Sequence, residues 1–235
     1  MNTLLDIPGA PNQRDLLKTL RLESGSADAM AFQSLFEKAR AVAAPKAAFR
    51  ECFIERKTDD SVIIDGLSLS SRVLRRNIGD AQRVFPFVAT CGTELDAIEI
   101  NQKDFLSEYW LDTIKGAWLK IALDRMSQHI QELHPFVKTT SMSPGSGDID
   151  VWPIEDQRHL FDILGDVESA IGVRLTGEML MLPNKTISGI RYPSEHDFRT
   201  CVMCHRENCP SRKAPPADGE WSGDQSSRPS CATSD

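Results

Sequence analysis

Apolar residues return at helical spacing in two early runs. Leu16, Leu17 and Leu20 form the first. After the break at Ser24, Gly25 and Ser26, a second run places Met30, Leu35, Phe36, Ala39 and Val42 near one face, with Asp28 as its start and Pro45 as its stop. From Phe49 the period shortens. FRECFIERK alternates, SVIIDG follows, LSSRVLRRNIG reads as a short helix or turn, and VFPFVATCG is an apolar strand. Gly92 and Thr93 then open the longest helical run, in which Leu95, Ile98, Phe105, Tyr109, Ile114, Ala117, Ile121, Met126, Ile130 and Leu133 recur up to Pro135. Beyond it come a strand FVKTTSM, a loop SPGSGDIDVWP and an amphipathic helix EDQRHLFDILG carrying Leu160, Phe161 and Leu164. Two strands, IGVRLTGEMLMLP and NKTISGIRYP, flank a turn at Pro183 and Asn184. Helices and strands mix without a regular βαβ repeat, which predicts an α+β fold with an antiparallel sheet rather than a doubly wound one.

Composition narrows the class. The 235 residues are 40% hydrophobic and 26% charged, which excludes collagen, coiled coil and disordered chains as descriptions of the whole. A net charge of -7 argues against the basic footprint of nucleic-acid binding. No segment approaches the ~20 apolar residues of a membrane span, and the N-terminus lacks a basic stretch followed by an apolar one, so the expected location is the cytoplasm. After Ala214 the chain turns to Pro, Gly, Ser and Asp, a composition expected to stay disordered.

Six cysteines are unevenly spread. Cys52 and Cys91 lie in apolar strands, where a thiol behaves as a small buried hydrophobe. Cys231 is in the tail. Cys201, Cys204 and Cys209 fall within nine residues, and a Cys-x2-Cys pair with a third thiolate nearby supplies most of a zinc site or can hold a corner-deficient iron–sulfur cluster. His205, Cys231, an exogenous thiol or a partner's residue are the choices for a fourth ligand. Three unligated thiols are the simpler reading of the same run. The loop from Ser141 to Asp148 is dense in small residues, which lets backbone N–H groups approach a ligand closely. No Gly-Lys-Ser/Thr follows it, so it is not a P-loop. Histidines 129, 134, 159, 196 and 205 share no metal-ligand spacing, and no Gly-x-Ser-x-Gly elbow is present. Glu94, Asp96 and Glu99 are expected to complement the dipole at the start of the long helix.

Taken in order, SMSPGSGDIDVWPIEDQRHLFDILG and IGVRLTGEMLMLPNKTISGIRYP resemble the activation domain of cobalamin-dependent methionine synthase in a short stand-alone form. The resemblance is densest over residues 136–193 and looser over the long helix and VFPFVATCG before it. It implies a curved antiparallel sheet flanked by helices. It also implies reductive reactivation of a corrinoid protein, with S-adenosylmethionine as methyl donor restoring methylcobalamin from Co(II), the cobalamin being carried by the partner. That partner would be methionine synthase or another corrinoid protein. The family loop reads Arg-x-x-Pro-Gly-Tyr, and here Ser141, Pro144, Gly145 and Ser146 stand at those positions.

By the same resemblance, the S-adenosylmethionine contacts fall on Ser141, Ser143, Pro144, Gly145, Ser146 and Gly147, on Glu178, and on Ser188, Gly189, Ile190, Arg191 and Tyr192. Arg191 is a candidate to supply the positive charge that the family arginine would bring. The Cys201, Cys204 and Cys209 run resembles the tail of a stand-alone subgroup of the family, where an iron–sulfur cluster would deliver the electron. Expected boundaries are 1–46 for an N-terminal helical segment, 47–198 for the activation-domain-like core, 199–213 for the cysteine cluster and 214–235 for the tail. Two rival functions fit the same residues: a non-catalytic module that binds a corrinoid protein and carries structural zinc, and a small-molecule sensor that kept the cleft and lost the chemistry.

Overall fold

A computed structural model describes residues 1–100, 104–135, 138–146 and 151–194, together with 201, 214 and 215. The chain begins with β1 (Asn2–Leu4), α1 (Gln13–Thr19) and α2 (Ala27–Val42). Ser26, rather than Asp28, starts α2, its hydroxyl accepting from the Ala29 N–H at 3.1 Å. Next come β2 (Lys46–Phe49), β3 (Cys52–Phe53), β4 (Arg56–Lys57), β5 (Ser61–Ile64), β6 (Leu67–Ser70) and α3 (Arg72–Ile78). The centre is β7 (Arg83–Thr90), followed by a short 3-10 turn at Glu94–Ala97 and the long α4 (Phe105–Leu133). The chain ends with β8 (Thr139–Met142), α5 (Asp156–Leu164), α6 (Val167–Ile171), β9 (Arg174–Leu175), β10 (Met181–Leu182) and β11 (Thr186–Pro193).

The main sheet runs β1, β2, β7, β11, β8, and every pairing in it is antiparallel. Strand β3 continues β2 along β7 in the same register: Phe49 faces Phe87 and Cys52 faces Val84. The interruption falls where Pro86 has no N–H to give a neighbouring strand. Strands β4, β5 and β6 form a separate meander, and β9 with β10 a small hairpin.

Alternation along β7 builds two cores. Phe85, Phe87 and Ala89 join Ala47 and Phe49 against Ala122, Met126 and Ile130 of α4. Val84 and Val88 face the other way, toward the layer of α3, α5 and α6 that contains Leu74, Leu160, Ile163, Val167 and Ile171. Helix α2 packs outside α4, with Phe32 and Phe36 meeting Trp110, Ile114 and Trp118. The α+β expectation therefore holds, with helices on both faces of one antiparallel sheet. No described helix is long and apolar enough to cross a membrane.

Three local expectations change. The long helix starts at Phe105, not at Thr93: Asp104 caps it by accepting from the Ser107 N–H, and Leu95 and Ile98 lie ahead of it. Glu94 and Asp96 consequently pair with Lys46 (2.6 Å) and Lys115 (2.5 Å) rather than complementing a helix dipole. The run from Ile171 to Pro183 is not one strand. Ile171 closes α6 at the left-handed Gly172, and a hairpin reverses at Met179, whose φ is +63°.

Candidate functional site

The site is assembled where β8 meets β11. In register, Ile190 pairs with Met142, Arg191 with Ser141 and Tyr192 with Thr140. Residues paired across a sheet share a face. Ser141 and Arg191 therefore sit side by side, although 50 positions separate them in the chain. Thr139, two residues before Ser141, is on that same face, and its hydroxyl accepts from Arg191 Nη1 at 2.9 Å. Arg191 Nε is buried and has no hydrogen-bond partner among the described residues. Burial also pushes the guanidinium pKa below its ordinary value.

Gly189 makes the junction possible. A Cβ there would stand 2.4 Å from the Met142 carbonyl oxygen and 2.9 Å from Ser143 Oγ, so only glycine lets the chain leaving β8 cross so near. Beyond β8 the loop turns at once. Ser146 N–H donates to the Ser143 carbonyl at 3.2 Å, and Gly145 N–H, in a residue with φ +70°, donates to the Trp152 carbonyl at 2.9 Å. A side chain at Gly145 would strike Ile154 Cδ1 at 2.6 Å. Pro144 is buried beneath this turn.

The loop is held from below by residues the pattern of the chain did not single out. Trp152 is fully buried, and its Nε1–H donates to Asp156 Oδ2 at 2.9 Å. The same carboxylate oxygen accepts from the Ser70 N–H at 2.5 Å, tying α5 to the meander. A Trp and an Asp four residues apart at a helix entry were the available signal. Thr139, the acceptor for Arg191, has no signal of its own in the sequence; strand pairing reveals it.

The residues expected to touch a ligand thus divide. Ser141, Ser143, Pro144, Gly145, Ser146, Gly189 and Arg191 come together at the β8–β11 junction. Ile190 and Tyr192 have side chains wholly inside the core with Met142 and Trp152, so those positions offer a ligand their backbone alone. Burial pushes the Tyr192 phenol pKa upward. Ser188 pairs with Val88 and is buried on the face covered by α6. Glu178 is exposed in the β9–β10 turn, where Gln157 Nε2–H donates to the neighbouring Met179 carbonyl at 3.1 Å; its own side chain bonds to none of the described residues.

Gly147, Cys204 and Cys209 lie outside the described residues. Cys201 is described and partly exposed. Among the described residues no group of three His, Cys, Asp or Glu side chains is placed to hold a metal. Cys52 and Cys91 are buried free thiols, as expected, and burial raises their pKa values to about 11 and about 12.

No family model and no curated protein matches the chain. Its fold does match a solved one. A crystal structure of the MetH reactivation domain bound to AdoHcy superposes with a TM-score of 0.58 over 85% of this chain and 80% of that chain, at 13% sequence identity. The chain has the fold of the MetH reactivation domain. At 13% identity the likeness fixes architecture alone.

Proposed function

We propose that this protein reactivates a corrinoid protein: it binds S-adenosylmethionine at the β8–β11 junction and presents the methyl group to cobalt carried by a separate partner. The single observation that carries this reading is the shared fold with a reactivation domain that binds AdoHcy, across 85% of the chain. The residues at the junction fit such a ligand. Gly189 and Gly145 keep side chains away from the strand-loop crossing, and Arg191 offers a cationic donor beside it.

An external one-electron donor reduces inactive Co(II) to Co(I). The Co(I) electron pair attacks the sulfonium methyl, the S–CH3 bond breaks, and methyl-Co(III) and S-adenosylhomocysteine result. The cobalt carries the reaction, while this chain binds and orients the methyl donor.

The test is anaerobic mixing of the full chain with cob(II)alamin-loaded candidate partners and a one-electron reductant, with and without S-adenosylmethionine, followed by optical spectroscopy. The expected result is conversion of Co(II) to methyl-Co(III) that requires both this chain and S-adenosylmethionine. If no partner's cobalt spectrum responds, and S-adenosylhomocysteine gives no heat in calorimetry at millimolar concentration, the reading fails.

A further inference from the structure

Arg191 presents an unresolved electrostatic problem. Its Nε is stripped of water, yet its guanidinium makes one hydrogen bond among the described residues, to the neutral Thr139 hydroxyl, and no ion pair there. The carboxylate charge that acts on it is that of Asp124 on α4, and that carboxylate is engaged by Lys120. A desolvated cation with an unused donor is costly unless an anion completes it. Guanidinium is the cation best suited to a carboxylate, which it grips through two parallel N–H groups.

The surroundings select which part of a ligand arrives there. Ser141 is the direct strand partner of Arg191, and Thr139 stands one pleat away, so hydroxyls rather than carboxylates flank the guanidinium. Gly189, two residues before Arg191 on the same face, contributes no side chain, and Ser143 Oγ approaches it. The result is a short polar track from the Pro144 and Gly145 turn to Arg191. One end is a cation; the other is a turn with little side-chain bulk.

We infer that Arg191 binds the α-carboxylate of the S-adenosyl ligand, fixing the amino-acid end of the molecule at β11 and leaving the adenosyl end to the loop after β8. This rests on the function proposed above and adds to it the residue that reads the carboxylate and the direction in which the ligand lies. Ser141 and Arg191 act as one position split across two strands: a positive charge placed on either would reach the same point on the sheet face.

Two ligands that differ only in the carboxylate provide the test: S-adenosylmethionine and its decarboxylated form. The full chain is expected to bind the first roughly 10- to 100-fold more tightly in calorimetry, the range for a charge-assisted hydrogen bond. Arg191→Gln is expected to bind both within about threefold of each other, with affinity for the decarboxylated ligand unchanged. Restoring a cation from the opposite strand, in the double variant Ser141→Arg with Arg191→Ser, is expected to bring back much of the preference. Circular dichroism and urea unfolding verify that each variant is folded, and Arg191→Met, which also removes the charge, replaces Arg191→Gln if the latter is not. Equal binding of the two ligands by the parent chain, or a full preference kept by Arg191→Gln, overturns the assignment while leaving the proposed function standing. Binding of neither ligand by the parent overturns both.

Discussion

Gly189 lies so close to β8 that a β-carbon on it would stand 2.4 Å from the Met142 carbonyl oxygen. The obstacle is backbone, which cannot rotate aside as the end of a side chain can. Gly189→Ala is therefore expected to push β8 and β11 apart at the junction and to cost about 1–3 kcal/mol. Urea unfolding measures the loss. Because the displaced atoms include Ser143, binding of S-adenosylhomocysteine should weaken more than global stability alone explains. A variant as stable as the parent would show that the strands do not approach this closely.

Asp156 ties three elements together at one carboxylate oxygen, which accepts from Trp152 Nε1–H and from the Ser70 N–H. Removing it by Asp156→Ala leaves a fully buried indole N–H without an acceptor, at a cost of roughly 1–3 kcal/mol. Asp156→Asn retains an acceptor oxygen and should cost less. The Trp152 carbonyl also holds the Gly145 N–H, so loosening Trp152 should be felt at the loop. Amide exchange at Gly145 is expected to speed up in Asp156→Ala; protection equal to the parent's would disconnect this support from the site.

Some of this architecture was readable before any coordinates. Phe36 and Ala39, expected on one face of α2, are buried there, whereas Met30 and Val42, expected with them, are exposed and the buried face is completed by Ala29 and Phe32. Alternating burial cannot show which strand lies beside which, because register between distant segments is set by the whole sheet. That is why the loop from Ser141 and the strand segment around Ser188 and Gly189 were recognisable as separate pieces, while the pairing of Ser141 with Arg191 was not. The run after Ile171 misled for a local reason. A short apolar stretch fits strand or helix end equally well, and left-handed residues at Gly172 and Met179 divide it. Leu95 and Ile98 likewise continue the rhythm of α4, yet Asp104 starts the helix after them.

The Cys201, Cys204 and Cys209 run leads to a prediction from spacing alone. Purified anaerobically, the full chain should carry zinc or iron in elemental analysis, and the triple Cys→Ser variant should carry neither. If the site lies beyond the folded core, that variant should keep the parent's urea midpoint. Metal at equal occupancy in both proteins would remove the cysteines from the account.

Cys52 and Cys91 lead to the opposite expectation, of thiols without chemistry. Both are buried, and burial raises their pKa values from 9.0 to about 11 and about 12. The thiolate is the reactive form, so at pH 8 neither should react with iodoacetamide in the native protein, and peptide mapping should find both labelled only after unfolding. The same shifts set a pH dependence. An acid whose pKa is higher in the folded chain keeps its proton there longer than in the unfolded one. The unfolded state therefore gains stability first as pH rises. The contribution of these thiols is present in full below about pH 9 and is lost progressively as pH climbs toward 11 for Cys52 and 12 for Cys91. The urea midpoint should accordingly fall between pH 9 and 11, and the fall should be shallower in a Cys52→Ala, Cys91→Ala variant. An equally steep fall in that variant would place the alkaline sensitivity elsewhere, with the buried Tyr192 phenol, whose pKa is also raised, as the next group to replace.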